Sequence, residues 1–372
     1  MHSIKELKNI KGKTILVRVD FNVPMKGNSV EDNFRIKKAL PTINFLIKKG
    51  AKIILITHLG KGEESLKPVA KVLNKYINVR FIPEVIGVKV TKAVSEMKIG
   101  DVILLENLRM NKGEQKPDES FAKSLAKLAD IYVNEAFPVS HRGDASIVLV
   151  PKLLPHYAGF QWTDEVKNLS MAFKKPKHPF LFILGGAKFE TKLPIIKRYI
   201  KTADHLFIGG AMLNDFLKAK GFEVGVSLVS DKNFGVKEMS RNKKLIIPEN
   251  VLVKTFDNKY VQKHANEVSK NDNIIDLGDK AVKMIEPYIK SAKLILWNGP
   301  LGKYEDGGAG TTKKILKLIA KSKAISIIGG GDTVEIISEM KMEKNFSFVS
   351  TGGGATLDFL ANGTLPGIKA LG

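Results

Sequence analysis

The sequence predicts an α/β protein of two doubly wound parallel-sheet domains joined by a helical hinge. Three observations carry this expectation. Short apolar runs alternate with amphipathic stretches almost throughout, the pattern of parallel sheets covered on both faces. The length, 372 residues, exceeds what one hydrophobic core usually fills. Near the middle, a segment bounded by prolines and charge separates two such halves.

In the first half the strand candidates are 14–19, 52–57, 102–105 and 131–134, with 121–128 a helical stretch between them. Pro155-His-Tyr-Ala-Gly then opens a helix over about 160–173, which ends in Lys174-Lys-Pro-Lys-His-Pro. The second half offers strands at 180–184, 205–208, 294–297, 324–328 and 346–350, and a helix at 280–290. The expected divisions are a first domain over 1–158, a hinge helix over 159–174 and a second domain over 175–358, followed by a tail over 359–372. No low-complexity tract and no repeat of 20–50 residues interrupts this plan.

The totals remove several classes. Hydrophobic content of 44% and aromatic content of 8% suit an ordinary soluble globular protein. The absence of cysteine excludes disulfides, thiolate metal sites and a cysteine nucleophile. The opening MHSIKELKNIKGK has no apolar core and does not read as a secretory signal. No apolar run approaches the ~18 residues of a membrane span, so no membrane partner and a cytoplasmic location are expected. The net charge of +22 raises the question of nucleic acid. Lysine is spread through the chain, however, and the densest runs, Lys174-Lys-Pro-Lys and Arg241-Asn-Lys-Lys, are short and lack interleaved aromatics. A solvated surface that draws in anionic substrates is expected, and no nucleic-acid partner.

Seven of the sixty basic residues are arginine, and five of those fall in the first 142 positions: Arg18, Arg35, Arg80, Arg109 and Arg142. The arginine fork grips phosphate or carboxylate at two points, which lysine does not. Polar groups also gather where the first-half strands end: Asp20 and Asn22, His58, Arg109, then His141 and Arg142. Ligands of open α/β sheets bind at that edge, so these residues describe a pocket for a small, highly charged anion. RVDFNVP at 18–24 poses the question most sharply, because an apolar strand runs straight into an aspartate and an asparagine.

The second half ends its strands in glycine instead: Leu184-Gly-Gly-Ala-Lys, Ile208-Gly-Gly-Ala-Met, Ile328-Gly-Gly-Gly-Asp-Thr and Ser350-Thr-Gly-Gly-Gly-Ala, each leading into a helix. Glycine admits phosphate to the backbone and helix N-termini favour anions, which predicts a nucleotide phosphate site. Neither G-x-x-x-x-G-K-[ST] nor a helix-opening G-x-G-x-x-G is present, so the cradle is of another kind.

In order and spacing, RVDFNVP, THLG at 57–60, LLENLR at 104–109 and NEAFPVSHR at 134–142 resemble the N-terminal domain of phosphoglycerate kinases. ILGGAKFETK at 183–192, IGGAM at 208–212, WNGPLGKYE at 297–305, GGGDT at 329–333 and STGGGAT at 350–356 resemble the C-terminal domain. The resemblance spans essentially the whole chain. It implies reversible phosphoryl transfer from 1,3-bisphosphoglycerate to ADP, giving 3-phosphoglycerate and ATP, with Mg2+ bound alongside the nucleotide. The substrate residues it implies are Asp20, Asn22, Arg35, His58, Lys61, Arg109 and Arg142. The catalytic set it implies is Arg35, Lys188, Lys192, Gly353 and Gly354. On the nucleotide side it implies Gly186, Lys188, Lys192, Gly210, Pro300, Glu305, Gly330, Gly331, Asp332 and Thr333, with Asp332 holding the metal. It also implies that the tail returns to the first domain, that the lobes close about the hinge, and that the chain is a monomer.

Three positions depart from the family pattern. Lys61 stands where arginine is usual, Glu135 where aspartate is usual, and Pro138 where glycine is usual. None removes a group the chemistry needs, so activity with altered substrate affinity is expected. The alternative reading is a regulatory protein that keeps the fold and the nucleotide but does not turn over. Retention of Arg35, Lys188, Lys192 and Asp332 together argues against it.

Overall fold

The computed structural model describes residues 2–187, 189–232 and 234–372. The chain forms two compact units, Met1–Lys167 with Thr364–Gly372, and Asn168–Gly363. The division falls within the helix Phe160–Ser170. No helix among the described residues is long and apolar enough to cross a membrane.

The first unit is built on a six-stranded parallel sheet. Its order is Arg80–Ile82, Val102–Leu105, Lys52–Ile56, Thr14–Arg18, Ile131–Asn134 and His156–Ala158. Ile15 lies opposite both Ile53 and Ile131, which fixes the centre of the sheet. Ile15, Leu16 and Val17 are all fully buried, so both sheet faces are covered, as parallel strands require. The helix Phe34–Lys48 presents Ile36, Ala39, Ile43 and Leu46 to the core at helical spacing. The order in which strands are added switches sides at Thr14–Arg18, with Lys52–Ile56 on one side and Ile131–Asn134 on the other. The crevice outside these carboxyl ends is where such folds bind ligands.

The stretch 155–159, expected to lead into a helix, contributes the edge strand His156–Ala158 as well. Tyr132 and Gly159 donate backbone hydrogen bonds to Pro155 and Asn134, and the helix starts at Phe160, where the sequence places it. Its first turn meets the buried Glu135 carboxylate, which accepts from the Gln161 and Trp162 amides at 3.1 and 3.4 Å. Thr42 Oγ1 donates to the same carboxylate at 2.6 Å and accepts from the Phe160 amide. The fully buried Trp162 indole donates to Ser140 Oγ at 3.0 Å. The C-terminal segment packs here too, for the Gly367 amide donates to the Ser140 carbonyl at 2.8 Å.

The second unit holds another six-stranded parallel sheet, ordered Leu245–Ile246, His205–Ile208, Phe180–Leu184, Leu294–Asn298, Ile325–Gly329 and Phe348–Val349. In chain order this is 3-2-1-4-5-6, so the switch point lies between Phe180–Leu184 and Leu294–Asn298. Trp297 on the latter strand is fully buried and donates its indole N–H to the Gly299 carbonyl at 2.7 Å. The parallel α/β plan expected from sequence is therefore present in both units. One addition was not anticipated: Asn250–Lys254 pairs antiparallel with both Tyr260–His264 and Asn273–Leu277.

Candidate active site

In the first unit, Asp20 and Asn22 follow directly on Thr14–Arg18 at its carboxyl end. Arg35, in the first turn of Phe34–Lys48, donates from Nη1 to Asp20 Oδ2 at 2.6 Å. Asn22 Oδ1 accepts from the Gly60 amide at 2.9 Å, which ties the 18–24 segment to the turn carrying His58. The Arg109 guanidinium reaches the same turn and donates from Nη1 to the Gly60 carbonyl. Arg142 is half-buried and follows the 3-10 turn Phe137–Val139, and its own amide donates to the Val139 carbonyl at 3.0 Å. Pro138 sits in the first turn of that element, where a missing N–H has no partner to lose. Lys61 is exposed beside Gly60.

Several donors in this unit are buried without any partner: Arg109 Nε and Nη2, Asn134 Nδ2, and the His58 ring at Nε2. A buried unsatisfied polar group costs about 1–3 kcal/mol, and several of them at the carboxyl ends of strands of one sheet point to an anion that would satisfy them. His58 is held neutral, its pKa well below the ordinary histidine value. Burial is the main cause, and the Arg18, Arg142 and Arg35 charges add to it.

Sequence reasoning counted Arg18 among candidate ligand-gripping arginines, but here it lies wholly buried behind the site. Its Nε donates to Ser146 Oγ at 2.9 Å and its Nη2 lies 3.8 Å from Glu114 Oε1. Asn107 and Glu106, inside the LLENLR motif, were also passed over. Asn107 Nδ2 donates to the Leu59 and Glu64 carbonyls and so holds the His58–Lys61 turn, while Glu106 accepts from the Leu66 amide and Ser65 Oγ and fixes the segment after it. An acid-amide pair directly ending an apolar strand was the available signal.

In the second unit, strands at the switch point end in backbone rather than side chains. The Gly185 amide donates to the Asn298 carbonyl, and the Gly186 amide to the Pro300 carbonyl. Gly210, at φ +64°, opens the helix Ala211–Ala219, and a Cβ there would meet the Gly186 amide and the Pro300 carbonyl. Gly330, at φ +101°, opens Gly331–Glu339 against Gly299. Gly353 and Gly354 open Gly354–Asn362. A cavity of about 420 Å³ is lined by Gly186, Gly210, Pro300, Glu305 and Asp332, with Leu228 and Ile274 among its apolar walls. Thr333 lies buried in the helix turn beside Asp332, and its Oγ1 has no partner. Lys188 lies outside the described residues.

Lys192, on Phe189–Thr202, is buried, and its Nζ donates to Asn298 Oδ1 at 2.7 Å. Burial pushes its pKa down to about 8, against the pull of the Asp332 charge. An ammonium with one neutral partner in a low-dielectric setting is primed for an incoming anion. Asp332 is exposed in the first turn of its helix. Magnesium is ordinarily held by one or two carboxylates together with substrate phosphates, and a single accessible aspartate beside glycine-opened helices fits that requirement.

A cation-rich strand edge in one α/β unit, and glycine-opened helices around a cavity in the other, define the class as a nucleotide-dependent kinase. The family model described as phosphoglycerate kinase matches residues 4–363. The chain is 41% identical over 391 residues to the phosphoglycerate kinase of Pseudothermotoga lettingae, covering 99% of this chain and 98% of that one. It is 42% identical over 385 residues to that of the Wolbachia of Drosophila simulans, covering 98% and 96%. Among solved structures, the phosphoglycerate kinase from Coxiella burnetii superposes with a TM-score of 0.87 at 35% identity, covering 99% and 98%. That from Pyrococcus horikoshii gives 0.89 at 30% identity, covering 100% and 98%. This chain belongs to the phosphoglycerate kinase family.

Proposed function

We propose that this chain transfers a phosphoryl group reversibly from 1,3-bisphosphoglycerate to ADP, giving 3-phosphoglycerate and ATP. The first unit would bind the acid and the second the nucleotide. The observation that carries the reading, beside family membership, is the set of buried donors left without partners, His58 Nε2 and Arg109 Nε and Nη2. Asp20 and Asn22 would receive the substrate hydroxyl, and Arg109, Arg142, His58 and the exposed Lys61 its phosphate and carboxylate. Arg35, already oriented by Asp20, would approach the moving phosphoryl group from the acid side.

In the second unit, Lys192 would meet the same group, with Lys188 assigned by the family motif alone. Gly186, Gly210, Gly330 and Gly331 would admit the phosphates to the backbone, as would Gly353 and Gly354. Thr333 Oγ1 would join them, and Pro300 and Glu305 would face the nucleoside in the cavity. Asp332 would hold Mg2+, which when bound neutralises phosphate charge.

The chemistry needs no base, because the acceptor is a carboxylate already ionised near neutral pH. Positioning and neutralisation of the equatorial oxygens are the task. At an effective dielectric of about 20, opposite charges 4 Å apart attract by roughly 4 kcal/mol, so a few contacts that tighten in the transition state give a large rate effect. The same reading takes the chain as a cytoplasmic monomer; light scattering on the eluting protein checks its oligomeric state.

The test is magnesium-dependent ATP consumption with 3-phosphoglycerate, the product coupled to NADH oxidation through glyceraldehyde-phosphate dehydrogenase. Turnover that disappears in Arg35→Ala supports the reading. Measured ATP binding without turnover would overturn it.

A further inference from the structure

We propose that Glu114 is a positioning residue for the acid site, acting through Arg18 and Ser146 to hold His58 as the tautomer that offers its Nε2–H to the substrate. The inference rests on the reading of the first unit as the acid-binding one, and adds a residue that reading does not contain.

Arg18 Nη2 lies 3.2 Å from His58 Nδ1. A guanidinium has donors only, so Nδ1 must be the accepting nitrogen and the ring proton of the neutral imidazole must sit on Nε2. That Nε2 is buried and without a partner. The tautomer therefore follows from Arg18, and Arg18 is fixed in turn. Its Nη1 donates to the Val19 carbonyl and its Nε to Ser146 Oγ at 2.9 Å. Ser146 is gripped from both sides by one carboxylate. Its Oγ donates to Glu114 Oε1 at 2.6 Å and its amide to Oε2 at 3.0 Å. Tyr132 completes the frame by donating its hydroxyl to the Ser146 carbonyl at 2.7 Å.

Arg18, Glu114, Ser146 and Tyr132 are all fully buried. A buried guanidinium needs a counter-charge, and Glu114 is the carboxylate in its ion pair. The charged groups acting on His58 from the packed elements are Arg18, Arg35 and Arg142, all positive, so the ring resists protonation. Asp144, close to Arg18 and Arg142, and Glu114 are the neighbouring carboxylates, each raised by burial and opposed by Arg18. Were Glu114 neutralised by substitution, the Arg18 fork would lose its anchor. The ring would then be free to turn a lone pair, instead of an N–H, toward an anionic ligand.

The first measurement is the long-range proton–nitrogen spectrum of the 15N-labelled full chain without substrate, with His58→Ala assigning the signal. A single neutral Nε2–H tautomer from about pH 6 to pH 8 is expected. An Nδ1–H tautomer, or a ring that titrates within that range, would overturn the inference. In Glu114→Gln the single tautomer should be lost. The KM for 3-phosphoglycerate should rise about tenfold, the effect of one hydrogen bond to a charged group, with kcat and the nucleotide KM unchanged. Glu114→Gln should cost nothing further on the His58→Ala background; full additivity there overturns the proposal. If Glu114→Gln does not fold, Ser146→Ala should mix the tautomers in the same direction, and a retained single tautomer counts against the relay. A chain that shows no turnover breaks the functional reading alone, because the tautomer is read without catalysis.

Discussion

The two units finish their central strands in opposite chemical styles. In the first, the Thr14–Arg18 strand hands over to side chains, with Asp20, Asn22 and His58 ranged against arginine forks and braced from behind by buried Arg18, Glu114 and Ser146. In the second, Phe180–Leu184 and Leu294–Asn298 hand over to bare backbone, with glycines at positive φ and one buried lysine. The difference teaches how each unit recognises its ligand. On the proposed function, a small acid of fixed shape would be gripped by side chains, whose directions must be enforced. A polyphosphate would be met by amides, whose directions the helices already enforce.

The comparison can be broken most sharply at the buried cation of the glycine-lined unit, Lys192. Lys192→Ala should lower kcat by about 10³-fold while ADP affinity measured by titration calorimetry stays within a fewfold, since the contact strengthens during transfer. An unchanged kcat would remove Lys192 from the chemistry. Next in size comes a methyl group added to the backbone cradle. Gly210→Ala forces an L residue to φ +64° with ψ −164° and sets its Cβ against Gly186 and Pro300. A loss of about 1–3 kcal/mol in denaturant unfolding is expected, together with weaker nucleotide binding. Full stability in this variant would show that the close approach is dispensable.

The side-chain unit should answer to a subtler change. Arg109→Lys keeps the charge and removes the fork, so the KM for 3-phosphoglycerate should rise about tenfold while the nucleotide KM is unmoved. Equal effects on both would contradict the division of labour. The smallest expected effect concerns Glu135, whose carboxyl burial pushes up to about 8 against three hydrogen bonds that pull it down. A raised native pKa contributes stability that is complete below the unfolded value and is lost as pH climbs through about 8. Glu135→Gln should therefore flatten the fall in melting temperature between about pH 5 and pH 8, and an unaltered slope would place another group behind it.

The strands that sequence reveals are those whose burial is double-sided. Ile53–Ile56 and Leu294–Trp297 are continuous apolar runs because both of their faces meet helices. Tyr260–His264 escaped notice because nearly all of it is exposed, leaving no apolar run to read. His156–Ala158 escaped because its three residues sit between Pro155 and Gly159, which together look like a helix boundary. At the candidate site, motif residues were readable where a polar group ends an apolar strand, as at Asp20 and His58. Glu114 was not, since Lys112–Gln115 has the composition of a solvated turn and only tertiary packing buries its glutamate. Arg18 was misjudged for a related reason. Sequence shows that an arginine ends a strand but not which sheet face its fork is drawn through.

The chain contains two tryptophans, and each unit owns one: Trp162 beside Ser140 in the first, and Trp297 one residue before the partner of Lys192 in the second. Both indoles are fully buried and hydrogen-bonded. Each unit thus carries its own optical label, emitting at short wavelength when folded and shifting to the red when water reaches it. Trp162→Phe and Trp297→Phe would separate the two signals. One chain can then report whether its halves melt together or in turn, and which of them a given ligand steadies, without any attached dye.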